Sequence, residues 1–193
     1  MHTFTLDAPI DTARLRLRSL EATDAEQVHA YQSDPDVTTF MPYGPRSLAE
    51  VVEKIGAHSP RIRLAEDKDY LMLAVERRDT GRVIGELYFS LLSVENNGAE
   101  IGWALNPDSQ GAGYVTEAAG AVLDLAFGEL GLHRVEAHVD PRNDASAAVC
   151  GRLGMRHEGT LIENALLLGE YCDTAIFALL DRDWATTRSG EPS

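Results

Sequence analysis

The amino-acid sequence predicts an α/β or α+β fold with a mixed sheet. Three strand-like segments follow one another across short turns, at residues 70–77, 82–92 and 99–105, and this hairpin spacing indicates an antiparallel meander. A helical segment rich in Ala and Leu, residues 115–130, then separates the third strand from another at 134–140. Because a crossover helix joins strands that run parallel, the sheet is expected to contain a parallel pair.

The first third of the chain supplies one strand and two helices. Residues 13–20 alternate apolar and basic side chains with period two, which predicts a strand. At residues 23–26 and 47–50 a hydroxyl side chain precedes a glutamate by three positions, and these capping boxes predict the starts of two helices. The helices are expected to end near Ser33, before an Asp-Pro pair, and near Ala57.

The last third supplies a short helix and a closing pair of strands. Residues 144–153 predict the helix, which Gly154 ends as a left-handed cap. The closing strands are expected at residues 155–161 and 171–180. The predicted order is therefore β-α-α-β-β-β-α-β-α-β-β.

Length and charge restrict the function classes. A chain of 193 residues predicts one domain over 1–193, and the small, polar segment 186–193 is expected to fray. The chain carries 31 Asp and Glu against 17 Lys and Arg, a net charge of −14. Such a charge disfavours binding to a nucleic-acid backbone or to an anionic membrane.

Targeting and metal patterns do not occur in the sequence. No run approaches the ~18 apolar residues of a membrane span, and the first residues lack the basic and apolar segments of a signal peptide. Cys150 and Cys172 form no CxxC pair, and the six histidines show no HExxH spacing, so no metal site is expected. A cytoplasmic protein with reduced thiols is the resulting prediction.

The most informative segment is the loop within residues 106–117, NPDSQGAGYVTE. A strand ends there, Gly111 and Gly113 follow, and a helix begins. Two glycines permit a sharp turn and the close approach of an anion. The N–H groups and dipole of the first helical turn favour negative charge, so a phosphate or pyrophosphate is the natural ligand. The alternative is that the glycines only serve the turn. The signatures of P-loops and of dinucleotide folds are not present.

A second element follows the strand at 134–140. Asn143 caps the next helix, Ser146 comes three residues later, and Leu153 and Gly154 close the element. Together with the glycine loop, this pattern resembles the GNAT superfamily of acyl-CoA-dependent N-acetyltransferases, in particular its RimJ/RimL-type branch. The resemblance covers nearly the whole chain. It implies a GNAT-like, mostly antiparallel sheet flanked by helices, with a splay between two central parallel strands.

The resemblance implies acetyl-CoA (coenzyme A) as the cofactor. The family loop has the pattern Q/R-x-x-G-x-G/A, and Val115 stands at its last position, where Gly or Ala is usual. Backbone amides of the loop would hold the pyrophosphate, and the pantetheine arm would lie in the splay. The implied cofactor-binding residues are Trp103, Ala104, Leu105, Gln110, Gly111, Ala112, Gly113, Tyr114, Val115, Thr116 and Asn143.

Acetyl transfer also needs a base for the amine, donors for the developing oxyanion and an acid for the thiolate. Glu100 is the predicted base, acting through a water, with a salt-bridged surface carboxylate as the alternative. Many GNAT enzymes place a Tyr acid where this chain has Cys150, so Ser146 is the predicted acid. Its alternative role is a backbone contact in the first helical turn. Cys150 is expected to pack in the core rather than to carry an acyl group.

The acceptor site is expected among the early helices and the late loops. Phe40, Tyr43 and Tyr88 are predicted to form its walls, and Glu170 and Asp173 to anchor a cationic acceptor. The resemblance favours the N-terminal α-amine of a protein, of the ribosomal-protein type. The alternatives are a small-molecule amine such as a polyamine, amino sugar or antibiotic, and a non-catalytic acyl-CoA sensor. A homodimer stays open, since many relatives dimerise.

Overall fold

The computed structural model describes residues 1–189, with side chains described as far as residue 186. Its strands are β1 (Phe4–Thr5), β2 (Ile10–Asp11), β3 (Leu15–Ser19), β4 (Arg63–Leu64), β5 (Tyr70–Arg77), β6 (Arg82–Ser93), β7 (Gly98–Leu105), β8 (Arg134–Val139), β9 (Arg156–Leu167) and β10 (Glu170–Leu180). Its α-helices are α1 (Ala25–Gln32), α2 (Pro35–Thr38), α3 (Leu48–His58), α4 (Tyr114–Asp124), α5 (Asp144–Arg152) and α6 (Asp181–Ser189).

Eight strands form the main sheet, in the order β2-β3-β5-β6-β7-β8-β10-β9, while β1 and β4 pair separately. Neighbours in the main sheet are antiparallel except for β7 and β8, which run parallel. The crossover between β7 and β8 contains α4, as the sequence predicted. The mixed, mostly antiparallel sheet flanked by helices is thus confirmed.

The two parallel strands separate near their middle. They pair at Gly98 with Arg134, and the last pair is Glu100 with Glu136. Beyond that pair β7 continues to Leu105 and stays paired with β6 alone. Backbone groups of β7 and β8 therefore face each other across a gap without pairing, which confirms the predicted splay.

Helices cover both faces of the sheet because side chains alternate along each strand. In β5, Leu71 and Leu73 pack with residues of α4 in one core cluster. The next side chain, Ala74, packs with α1 and α3 in a second cluster, which contains Val28 and Ile55. The gap between β7 and β8 consequently lies between two helical layers.

The start of the first helix differs from the prediction. A 3-10 turn over Ala22–Asp24 precedes α1, and its cap is Glu21 rather than Thr23. The Asp24 carboxylate accepts the Glu21 N–H at 2.8 Å and is held in place by Arg18, at 2.7 Å. This buried ion pair moves the helix start upstream. The second capping box, of Ser47 and Glu50, is confirmed at the start of α3.

Two short elements, α2 and a π-helical turn, were not predicted from the sequence. The Asp-Pro pair that ends α1 also begins α2, since Asp34 Oδ1 accepts the Asp36 N–H at 2.9 Å and Pro35 suits a first helical position. The long helix predicted over 115–130 is α4 followed by a π-helical turn, Leu125–Glu129.

The C-terminal segment continues as a helix instead of fraying at residue 186. The α6 helix extends to Ser189, and residues 190–193 of the predicted tail lie outside the described residues. Trp184 is buried and its indole donates to Asp124 Oδ1 at 3.0 Å, which ties α6 to α4. That 1–193 form one domain stays a prediction. Within residues 1–189, no helix is both long and apolar enough to cross a membrane.

Candidate active site

Two clefts meet where β7 leaves β8. The first, here called the loop cleft, measures about 640 Å³ and lies between the glycine loop, the end of β7 and α5. The second, here called the inner cavity, measures about 470 Å³ and lies between the sheet and α1–α3. Their shared wall consists of Phe40, Met41, Trp103, Ala104, Asn143 and Ser146. A molecule spanning both clefts would pass this wall.

The glycine loop shapes one side of the loop cleft. Gly111 and Gly113 have φ angles of 76° and 79°, in the left-handed region that favours glycine. Gly113 is the N-cap of α4 and offers no side chain to its first turn, whose N–H groups have no partner within the helix. The loop therefore presents free amide donors and a positive dipole end to the cleft, which suits a phosphate group.

Arg14, the residue that precedes β3, holds this loop in shape. Its Nη1 donates to the carbonyl of Ala112 at 2.9 Å, its Nε donates to Glu117 Oε2 at 2.6 Å, and its guanidinium lies 4.5 Å from the ring centre of Tyr114. Burial raises the pKa of Glu117, but hydrogen bonds from Thr12 and Arg14 outweigh it and leave that pKa lowered. Sequence reasoning missed Arg14 because its partners are about a hundred positions away.

All predicted cofactor residues except Ala112 line the loop cleft. Asn143 and Ser146 come from the start of α5, where Asn143 Oδ1 accepts the Ser146 N–H at 3.0 Å. The Trp103 indole donates to Ser146 Oγ at 3.3 Å. Because a hydroxyl both accepts and donates, Ser146 can still donate its own proton into the clefts.

Glu100 projects into the inner cavity beside two residues of β8. His138 Nδ1 lies 3.7 Å from Glu100 Oε1, and His138 Nε2 lies 2.9 Å from Glu136 Oε2. Burial raises the pKa of Glu100, the neighbouring His138 opposes that effect, and Glu136 adds to it. Glu100 can therefore accept a proton at near-neutral pH more readily than an exposed carboxylate.

A second carboxyl, Glu86, lies in the inner cavity on β6. It accepts hydrogen bonds from Gln32 Nε2 at 2.8 Å and from the Tyr43 hydroxyl at 3.3 Å. Burial raises its pKa, while these bonds act in the opposite direction. Sequence reasoning missed Glu86, although a lone carboxylate inside the apolar run of residues 83–92 was an available signal.

Cys150 lies in the core, fully buried. Burial raises the pKa of its thiol to about 12, so the thiolate that a nucleophile requires does not form at neutral pH.

Only some of the predicted acceptor residues lie at the inner cavity. Phe40, Tyr43 and Tyr88 line the inner cavity. Glu170 and Asp173 do not line either cleft in the described part of the chain. Asp173 instead accepts the Glu163 N–H at 2.7 Å, where β9 and β10 change register. The inner cavity is also lined by basic side chains that were not predicted, namely Arg46, Lys54 and His58.

Among residues 1–189, no group of three or more His, Cys, Asp and Glu side chains is arranged to hold a metal ion.

Comparison with known proteins gives a consistent family match. Residues 14–156 match the family model described as acetyltransferase (GNAT) domain. The chain is 31% identical to the uncharacterised N-acetyltransferase p20 of Bacillus licheniformis, over 90% of this chain and 97% of the relative. It is 33% identical to the uncharacterised N-acetyltransferase YnaD of Bacillus subtilis, over 91% and 98%.

Solved structures show the same architecture. An acetyltransferase (GNAT family) from Bacillus anthracis superposes with a TM-score of 0.81 at 30% identity, over 91% of this chain and 99% of that one. A Vibrio cholerae protein provisionally named a ribosomal-protein-serine acetyltransferase gives 0.74 at 27%, over 91% and 99%. The spermidine N-acetyltransferase of Vibrio cholerae, in complex with CoA and spermine, gives 0.73 at 22%, over 90% and 99%.

Proposed function

The chain belongs to the GNAT acetyltransferase family and is an N-acetyltransferase of that family, and on that premise we propose that it transfers an acetyl group from acetyl-CoA to a small primary amine. Acetyl-CoA occupies the loop cleft and the amine occupies the inner cavity. The observation that carries this proposal is the junction of the two clefts at Trp103 and Ala104, with Glu100 facing the amine side.

The loop cleft fits the donor molecule. GNAT acetyltransferases use acetyl-CoA, and the Vibrio cholerae neighbour was solved with CoA. Here the amides after Gly111 and Gly113 suit the pyrophosphate. Arg152, whose Nε donates to Thr116 Oγ1 at 3.2 Å, adds a positive charge on the same cleft. The unpaired strand edges in the gap suit an extended chain with amide groups. When bound, acetyl-CoA supplies an activated acetyl thioester.

Glu100 prepares the acceptor. A protonated amine has no lone pair, so it must lose a proton before the nitrogen can form a bond to the acetyl carbon. Glu100 accepts that proton through a water, and its raised pKa strengthens it as a base. His138 and Glu136 lie next in line and lead the proton toward the surface.

Ser146 and the edge of β7 act on the acetyl thioester. Backbone N–H groups near Ala104 and Leu105 stabilise negative charge on the acetyl oxygen. As the carbon–sulfur bond breaks, the Ser146 hydroxyl gives its proton to the departing sulfur and is reprotonated from water. The amine ends as an amide, and the thiol leaves as free CoA.

The inner cavity supports a small acceptor. Its volume of about 470 Å³ lies in the range of small-molecule sites, and Phe40, Tyr43 and Tyr88 wall it. The second candidate is a protein N-terminal α-amine, which the similarity to the protein named as a ribosomal-protein-serine acetyltransferase favours. A cytoplasmic location remains a prediction from the sequence, and a homodimer remains a prediction from the resemblance.

The test measures release of free CoA by the purified chain with acetyl-CoA and two acceptor panels. One panel contains small primary amines, and the other contains short peptides with free or blocked N-termini. We expect turnover with members of the small-amine panel. Turnover of the peptides with free N-termini, without turnover of any small amine, would contradict the small acceptor and favour a protein N-terminus. Calorimetric CoA binding without any turnover would identify a sensor.

A further inference from the structure

Three basic residues line the inner cavity along α3. Arg46 precedes this helix, and Lys54 and His58 stand four positions apart on it, a spacing that places side chains on one face. The chain as a whole has a net charge of −14. A basic corner inside the inner cavity is therefore opposite in sign to the net charge of the protein.

Arg46 and Lys54 carry the two permanent charges of this basic corner. Within residues 1–186, no ion pair includes Arg46 or Lys54. Arg46 Nη1 donates to the neutral Gln32 Oε1 at 2.9 Å, and its guanidinium lies 3.4 Å from the ring centre of Tyr43. These neighbours orient Arg46 without neutralising it.

His58 shows the sign of the local field. Its Nδ1 lies 2.9 Å from the Tyr70 hydroxyl. Burial lowers the pKa of His58, and the charges of Lys54, Arg46 and Arg61 lower it further. The charged groups that act on this imidazole are all cationic, so the corner favours an anion over a second cation.

Two carboxyls act against this field: the exposed Glu50, whose pKa is lowered by hydrogen bonds from Ser47 and by the charge of Arg46, and the buried Glu86. The Glu86 oxygens accept from Gln32, Tyr43 and Tyr31, and burial raises its pKa. Glu50 and Glu86 thus offset part of the Arg46 charge, while no ion pair within residues 1–186 includes Lys54 or Arg61.

The basic corner lies at a useful distance from Glu100. Tyr70, which contacts His58, pairs with Ser90, and Ser90 pairs with Glu100. Tyr70 and Glu100 are therefore two strands apart in one row, about 10 Å by the usual strand spacing. A molecule with its amine at Glu100 and a short linker could place its other end at the basic corner.

We propose that the acceptor is a small amine with an anionic group, a carboxylate or phospho group, at its opposite end, which Arg46, Lys54 and His58 bind. This inference rests on the proposed function, because it names the substrate class of the same site. It also sets this chain apart from an enzyme for polyamines, whose second ammonium would face like charges.

The first experiment compares acceptors that differ in one end group. They are γ-aminobutyrate, its neutral amide, the diamine putrescine and aminopropylphosphonate. We expect kcat/KM for the better of the two anionic amines to exceed that for the amide by about tenfold or more, with putrescine lowest. The carboxylate and phosphonate arms show which anion is preferred. A higher kcat/KM for the amide or for putrescine would overturn the proposal.

A pair of charge reversals tests the residues. Lys54→Glu should lower kcat/KM for the anionic amine to about the value for the neutral amide. The value for the amide itself should change little. The matched control is Arg82→Glu, which makes the same charge change at an exposed position that lines neither described cleft. An equal effect of both variants would mean that only the overall charge matters, which also contradicts the proposal.

A binding measurement separates this inference from the proposed function. In the CoA-bound protein, γ-aminobutyrate should raise the pKa of His58, followed by NMR and assigned with His58→Gln, because a nearby anion favours the imidazolium. Putrescine should not. A raised pKa without acetylation of any amine would support the anion site and defeat the proposed function. Acetylation of all four amines at similar rates, with no change in the pKa of His58, would support the proposed function and contradict the anion site.

Discussion

His138 Nδ1 lies 3.7 Å from Glu100 Oε1, at the last residue pair that β7 and β8 share. Parallel pairing puts Glu136 directly beside Glu100, and the imidazole of His138 stands between the two carboxylates. The separation of the strands thus opens the clefts, and it leaves Glu100 and His138 lining the inner cavity.

Glu100→Gln should lower kcat strongly and flatten its rise with pH. Burial raises the pKa of Glu100, so the acid limb of the wild-type kcat/KM profile should lie at a higher pH than an exposed glutamate would give. The amide cannot take a proton, so this limb should disappear. Steady-state rates from pH 4 to 9 measure it. Glu95→Gln, at an exposed turn position, is the control, and matching profiles for the two variants would remove Glu100 from the mechanism.

Gly113→Val should raise the KM for acetyl-CoA strongly, with a smaller effect on the acceptor KM. The new Cβ would lie 3.6 Å from Arg14 Nη2, against the side chain that holds the loop, and it would strain a residue whose φ is 79°. The loop amides proposed to bind the pyrophosphate would then be displaced. Gly81→Val is the matched control, since Gly81 also has a positive φ, 65°, in the turn between β5 and β6. Both variants should lose stability. If only the loss of stability is seen at Gly113, the loop does not hold the donor.

Arg18→Met should destabilise the fold by about 3 kcal/mol, because it leaves a buried charge without its partner. Arg18 pairs with both Asp24 and Glu76 at 2.7 Å, and the Asp24 side chain is only 4% exposed. Arg16→Met removes a pair with Asp11 in which both side chains are 43% exposed, and its loss should be much smaller. Urea unfolding of both variants gives the comparison. Equal losses would show that the buried ion pairs of Arg18 stabilise the fold no more than the exposed pair of Arg16 does.

Native protein should react with iodoacetamide at one thiol and unfolded protein at two. Cys150 is buried and burial raises its pKa to about 12, whereas Cys172 is partly exposed. Mass spectrometry after alkylation at mild alkaline pH counts the labels. The variant Cys172→Ser should stay unlabelled while folded. Rapid labelling of Cys150 in the native state would reopen the possibility of a covalent acyl-enzyme.

The regular part of this fold could be predicted because its patterns are local. The limits of β5 follow from the pattern of apolar residues along the strand and from the turns beside it. The two glycines of the loop predict the turn from β7 to α4. The contacts of Glu100 with His138 depend on the register of two strands separated by a crossover. No local pattern encodes that register.

The acceptor residues show the same limit. Arg46 and Lys54 face the cavity because α3 packs across the sheet, and Glu86 finds its partners on α1 and the following loop. Asp173 lies in a segment with a suitable charge, but a register change between β9 and β10 turns it to a backbone N–H. Side chains that meet through tertiary packing could not be assigned from spacing alone.

The separation of β7 and β8 also affects the rigidity of the sheet. Three residue pairs join the β2–β7 half of the sheet to the β8–β10 half, so the sheet is effectively two half-sheets with a slot between them. An extended molecule in that slot acts as a surrogate strand that completes the sheet. Binding and rigidity would thereby be linked, because backbone hydrogen bonds from both strands to such a molecule would join the two halves beyond their three residue pairs.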